Sequence, residues 1–175
     1  MDFLQQNRTF FIIESILLII LGIIAIALPF YASLSVELII GWILTLGGIV
    51  QLIKSFASFQ ESGGAISLIG AIIYIVVGAL MLIYPVKGIV TLTLLIGVFF
   101  LLEGLAKIVF SFELKPAMNW GWLFVSGIIA LIMAAIILWG WPETSLWVIG
   151  LLVGINMVFF GFSLLALVTN IPKKI

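Results

Sequence analysis

From Gly88 to Phe112 the chain reads GIVTLTLLIGVFFLLEGLAKIVFSF, an apolar run broken by two charges, Glu103 and Lys107. A helix of that length crosses the ~30 Å hydrocarbon core of a bilayer, and few other environments suit it. The run follows Tyr84-Pro85 and carries Gly97 and Gly104 seven positions apart. The same frame occurs twice more, as Pro29 with Gly41 and Gly48 and as Pro142 with Gly154 and Gly161. All three copies read P-x11-G-x6-G.

Composition carries the membrane reading to the whole chain. It is 65% hydrophobic and 8% charged, with a mean hydropathy of +1.48. A soluble fold of 175 residues needs more polar cover than that. Inside lipid every backbone group must be bonded internally, so helices are expected. The runs are too long and unbroken for the alternating strands of an outer-membrane barrel. Seven basic and seven acidic residues cancel, which gives no footprint for nucleic acid. With no Cys and no His, disulfides, thiol chemistry, His–metal sites and histidine relays drop out together. No cofactor and no metal is expected. The first apolar run lacks a small-residue cleavage site and is expected to remain as a spanning helix.

In order, helix one is expected from Phe10 to Leu28 and a turn at Pro29-Phe30-Tyr31. Ser33 or Ser35 is expected to cap helix two, which runs to Phe56. Residues 59–64 read as a loop, helix three as Ala65–Tyr84, and helix four as Gly88–Phe112. A loop over 113–119 leads to helix five, Trp120–Trp141. Pro142 then reads as the first position of helix six, which runs to Val168. Pro29, Pro85 and Pro142 are 56 and 57 residues apart. The expected fold is an all-α integral membrane protein. Its single transmembrane domain, 1–175, holds six transmembrane helices as three parallel helical-hairpin repeats, about 10–56, 65–112 and 120–168, in an approximately threefold bundle.

Six spans put both termini on one side. Arg8, Lys54, Lys107, Lys115, Lys173 and Lys174 fall on that side and only Lys87 on the other. The positive-inside rule then predicts a multi-pass protein of the inner (plasma) membrane with cytoplasmic termini and outward proline turns. Trp120 and Trp139 lie roughly 28 Å apart along a helix, which suits two interfacial belts. The heptad-spaced glycines, helped by Gly150 with Gly154, predict close packing, with the even helices as the tightly packed set. A glycine face left unused within one chain would pack a second copy, so a homo-oligomer and membrane lipids are the expected partners.

Repeated hairpins turning at an aromatic-Pro pair, as in Tyr84-Pro85 and Trp141-Pro142, and followed by a glycine-bearing helix, resemble the HdeD-like acid-resistance membrane proteins. The resemblance runs from helix one to helix six, with Leu28-Pro29 the copy that departs from the aromatic-Pro pattern. It implies a six-span inner-membrane protein linked to survival at low pH, and it supplies no catalytic residues.

Charges within a span each need an account. Glu103 and Lys107 are spaced i, i+4, acid first, the favourable order for a helix pair. They lie roughly 27 and 33 Å from Pro85 along the axis, near the cytoplasmic boundary. Glu14 and Asn156 reach similar depths, roughly 22 and 21 Å from their prolines. Gln51 and Lys107 each follow a repeat proline by 22 positions. Glu14, Gln51, Glu103, Lys107 and Asn156 are therefore a candidate polar layer. It would either fix helix register by mutual hydrogen bonds or hold protons or a small polar ligand. The outer half shows no polar chain to complete a pathway, which favours the first. Glu37 and Glu143 read as first-turn acids of helices two and six, placed by the helix dipole. Phe99-Phe100 and Phe159-Phe160 read as lipid-facing or packing groups.

The sequence thus predicts a non-enzymatic membrane protein supporting envelope integrity under stress, with acid stress implied by the resemblance. The alternative is a small channel or transporter for protons or a small polar solute. A lipid-modifying enzyme ranks third, since no residue spacing demands one.

Overall fold

The computed structural model describes residues 7–57, 64–115 and 119–169. The 59–63 part of the expected first loop, residues 116–118, and Lys173 and Lys174 lie outside the described residues. Six helices follow in order: α1 Arg8–Ala27, α2 Pro29–Ala57, α3 Gly64–Ile83, α4 Pro85–Glu113, α5 Trp120–Trp139 and α6 Ser145–Thr169. All six are long and apolar enough to cross a membrane. This is an all-helical, multi-pass membrane protein. Its outward surface is apolar, as lipid requires: Phe99, Phe159 and Phe160 are all well exposed. At the two ends of α5, Trp122 and Trp139 project outward, the latter 94% exposed.

Two helix starts differ from expectation, and the proline explains both. Helix α2 begins at Pro29, four residues before Ser33, and α4 begins at Pro85 rather than Gly88. The first residue of a helix has no intrahelical use for its N–H, so proline costs nothing there. The next turn closes normally, with Ala32 N–H donating to Leu28 O at 3.2 Å and Gly88 N–H to Tyr84 O at 3.0 Å. Ser33 and Ser35 therefore sit inside α2 and are not its caps. Glu37 moves from the first turn to the third.

The third proline behaves otherwise. Helix α5 stops at Trp139, Pro142 follows a cis peptide bond, and α6 starts only at Ser145. A turn spans the gap, with Thr144 N–H donating to Gly140 O at 2.9 Å and Thr144 Oγ1 to Ile137 O at 2.9 Å. Pro142 is thus not a helix position, and Glu143 is an exposed turn residue rather than a first-turn acid of α6.

The chain forms two compact units. One comprises the described residues up to Ser33 and from Trp147 onward; the other runs from Leu34 to Leu146. Within the second unit α2 meets α3 along glycines. A Cβ on Gly48 would lie 2.8 Å from Ile75 N and 3.0 Å from Ala71 O. One on Gly78 would lie 2.8 Å from Gly41 O. Helix α4 meets α5 in the same way: a Cβ on Gly104 would lie 2.9 Å from Gly127 O, and one on Gly97 would lie 3.0 Å from Ile137 Cγ2. In the first unit α6 meets α1, where Cβ atoms on Gly154 and Gly161 would each lie 2.9 Å from a carbonyl oxygen, that of Gly22 or Ser15. Only small residues permit backbones this close.

The six repeat glycines thus face odd helices, while Gly150 packs on an even one, its Cβ position 2.9 Å from Ala32 Cβ of α2. Each glycine-bearing helix is fitted to an odd helix. The odd helices carry their own small pairs seven apart: Ser15 and Gly22, Ala71 and Gly78, Gly127 and Ala134, all buried. The fit is small face on small face, and both halves of it lie in the sequence.

Candidate functional site

Most polar side chains on the helices are consumed locally. Lys107 on α4 is held twice, by Glu103 at 2.6 Å and by Ser126 Oγ of α5 at 3.0 Å. Glu103 and Lys107 are each 30% exposed, so water or lipid headgroups still reach the pair. Gln51 on α2 donates from Nε2 to Ser67 O of α3 at 3.1 Å. One turn on, Ser55 Oγ lies 2.8 Å from Ser67 Oγ and donates to Gln51 O at 2.9 Å. Gln51 and Lys107, equivalent by repeat position, thus play equivalent parts. Each crosses from a glycine-bearing helix to its small-residue partner beside the close contact.

The candidate layer therefore divides. Among the described residues no hydrogen bond joins the Gln51 cluster to the Lys107 cluster, and each belongs to its own helix pair. In the other unit Glu14 is half-buried and Asn156 is exposed, and neither has a hydrogen bond or ion pair to a described residue. That unit has links of a different kind. The Gly150 N–H donates to the buried Ser33 Oγ at 2.8 Å, and Arg8 Nη2 donates to Thr169 O at 3.3 Å.

Three groups outside the candidate layer share one property. Glu37, Thr93 and Ser145 are fully buried, and neither carboxylate oxygen nor either hydroxyl has a hydrogen-bond partner among the described residues. The Glu37 carboxylate lies against the Cα of Gly88, in space that any larger residue would fill. The signal for two of them was present. Glu37 follows Pro29 by eight positions, and Thr93 follows Pro85 by eight. A cavity of about 520 Å³ opens among α2, α3 and α4, lined by Leu44, Val77, Leu80, Gly88 and Leu95, with Lys87 and Thr91 as its polar members. Among the described residues no group of three or more His, Cys, Asp or Glu side chains is placed to hold a metal.

Compared with known sequence families, residues 13–83 and 69–139 each match the short repeat of unknown function, DUF308. The chain belongs to the DUF308 family. The two DUF308 matches are offset by 56 positions, the spacing of Pro29 and Pro85, so the internal repeat is the family's own unit. Each match is also wide enough to contain one glycine-bearing helix and the odd helix packed on it, α2 with α3 or α4 with α5. Among curated proteins the chain is similar to Protein HdeD of Escherichia coli K12, of E. coli O157:H7 and of Shigella flexneri. In each case it is 24% identical over 177 aligned positions, covering 99% of this chain and 93% of the relative. It is an HdeD-like DUF308 membrane protein. No solved structure matches it.

Proposed function

We propose that this chain is a non-enzymatic protein of the inner membrane that supports envelope integrity under stress, acid stress above all. The observation that carries this reading is how the polar groups are used. Gln51 ties α2 to α3, Lys107 ties α4 to α5 and Ser33 ties α2 to α6, each beside a close contact of small residues. A protein built this way invests its polarity in cohesion rather than in a reacting centre. The acid-stress part rests on the likeness to HdeD and the acid-resistance family that the repeats resemble. Cytoplasmic termini follow from the distribution of Lys and Arg. Three parallel hairpins about an approximate threefold axis follow from the P-x11-G-x6-G frame, and the recurrence of one type of helix contact supports them. Membrane lipids are its working partners, with a second copy of the chain on any small-residue face left free.

A second reading, a small conduit for protons or a polar solute, draws on the unpaired Glu37 and on Glu14, Glu103 and Asn156. Two assays separate the readings. In acid-challenged cells lacking their own copy, the wild-type chain should restore survival and keep an impermeant dye out. Gly48→Val and Gly104→Val should fail to do so. In proteoliposomes loaded with a pH dye, the wild type should match empty vesicles. Flux above that baseline, lost on Glu103→Gln or Glu14→Gln, would replace the first reading with the second.

A further inference from the structure

The cavity among α2, α3 and α4 has a direction. On α4 its wall is Lys87, Thr91 and Leu95, four positions apart and so on one stripe of the helix. On α3 it is Val77, Leu80 and Tyr84, again one face. Tyr84 and Lys87 lie at the turn around Pro85. Val77 and Leu95 lie roughly 12 and 15 Å from that proline along their helices. One leaflet of a ~30 Å hydrocarbon core has about the same depth. Polarity falls along this path. Lys87 stands at the turn, and Thr91, one helical turn further, donates its hydroxyl to Lys87 O at 2.9 Å. Its hydroxyl thus needs nothing from an occupant. Beyond Thr91 the wall is apolar, with Leu44 of α2 added to it.

The cavity also opens sideways, because Val77, Leu80 and Leu95 are exposed. What adjoins such an opening in a membrane protein is lipid. At about 520 Å³ it falls within the range of ligand pockets, roughly 300–1,000 Å³. Its one charge is positive. Lys87 is exposed, with Nζ 4.7 Å from the Tyr84 ring centroid, and has no ion pair among the described residues. Neither Glu37, buried against the adjoining Gly88, nor the exposed Glu143 pairs with it. The second position after the repeat proline is Tyr31, Lys87 or Thr144, so this charge belongs to one copy of the repeat.

We propose that this cavity binds one anionic phospholipid from the leaflet on the proline-turn side. Its phosphate sits at Lys87, and one acyl chain runs along the faces of α3 and α4. A zwitterionic headgroup brings its own cation to the phosphate, which Lys87 repels; an anionic headgroup keeps the full attraction. The site rests on the membrane-lipid partnership proposed above. Lipid retention is measured apart from acid survival, so either can fail while the other stands.

The test is native mass spectrometry of the full chain, released from nanodiscs holding equal phosphatidylglycerol and phosphatidylcholine with matched acyl chains. The wild type should retain one phospholipid, favouring phosphatidylglycerol roughly fivefold, the effect of one lysine near an anionic headgroup. Lys87→Gln should bring that ratio to one. Lys54→Gln, in the last turn of α2 and also exposed, should leave it unchanged. Leu95→Trp, which enlarges a side chain lining the cavity, should lower retention of both lipids. Equal retention of the two lipids by the wild type would overturn the proposal. So would a preference that survives Lys87→Gln, or a dimer that carries no lipid, which would give the cavity to a second copy. Should Leu95→Trp not fold, Val77→Trp takes its place, and undiminished retention there would refute the acyl-chain path.

Discussion

Glu103 and Glu37 are carboxylates on glycine-bearing helices of the same unit, and they live under opposite terms. Glu103 is 30% exposed and finds Lys107 one turn away at 2.6 Å. Glu37 is wholly buried, packs on a glycine of another helix, and has no partner for either oxygen among the described residues. The first arrangement is local: an i, i+4 pair near a helix end, with the cation able to lean toward water. The second is tertiary, since its surroundings come from α4 and nothing on α2 announces them. A charge whose partner is on its own helix is there to be tolerated. One buried among other helices with its oxygens unspent is a cost that the packing around it must offset.

Substitutions can break this contrast. The largest effect is expected at Gly88, where a leucine would occupy the space of the Glu37 carboxylate. Gly88→Leu should cost about 3 kcal/mol, lowering Tm in nanodiscs by roughly 6–12 °C. Gly121→Leu, with nothing within 4 Å of its Cβ position, is the control that should hold Tm. Next comes the carboxylate itself. Glu37→Leu should raise stability by about 1 kcal/mol or more, because it removes an unpaired buried acid and leaves a side chain of similar volume. A fall in Tm there would mean that Glu37 has a stabilising partner of its own. The smallest effect belongs to the exposed pair. Lys107→Met should cost only about 0.5–1 kcal/mol, since Glu103 keeps its access to solvent. A double-mutant cycle with Ser126→Ala would show how much of that comes from the bond to α5.

The fold was largely legible, and the reasons are specific. Apolar runs and prolines located all six helices, because lipid tolerates few alternatives. The glycine pairs were visible too, but their partners were not. Ser15 with Gly22 and Ala71 with Gly78 show the same seven-residue spacing ahead of each proline. Mixed residue types hid a pattern that the glycines made obvious. The polar side chains were harder. Lys107 with Glu103 could be read from spacing, whereas Ser126 and Ser67, the cross-helix partners of Lys107 and Gln51, come from helices whose facing depends on packing. Glu37 was misplaced for a plain reason: expecting the helix to start at a serine cap put it in the first turn, when Pro29 had already begun the helix.

The pairing of helices also sets an order of assembly. Helix α2 meets α3, and α4 meets α5, as soon as the next span has been made. Helix α1 is made before all of these, yet its small-residue face fits α6, made after them; the bond from Arg8 to Thr169 joins residues 161 positions apart. Until α6 has been made, α1 therefore lies in the bilayer without the helix that covers Ser15 and Gly22 in the folded chain. A truncation that removes α6 would leave that face open for good, offering neighbouring chains the same invitation that α6 normally answers.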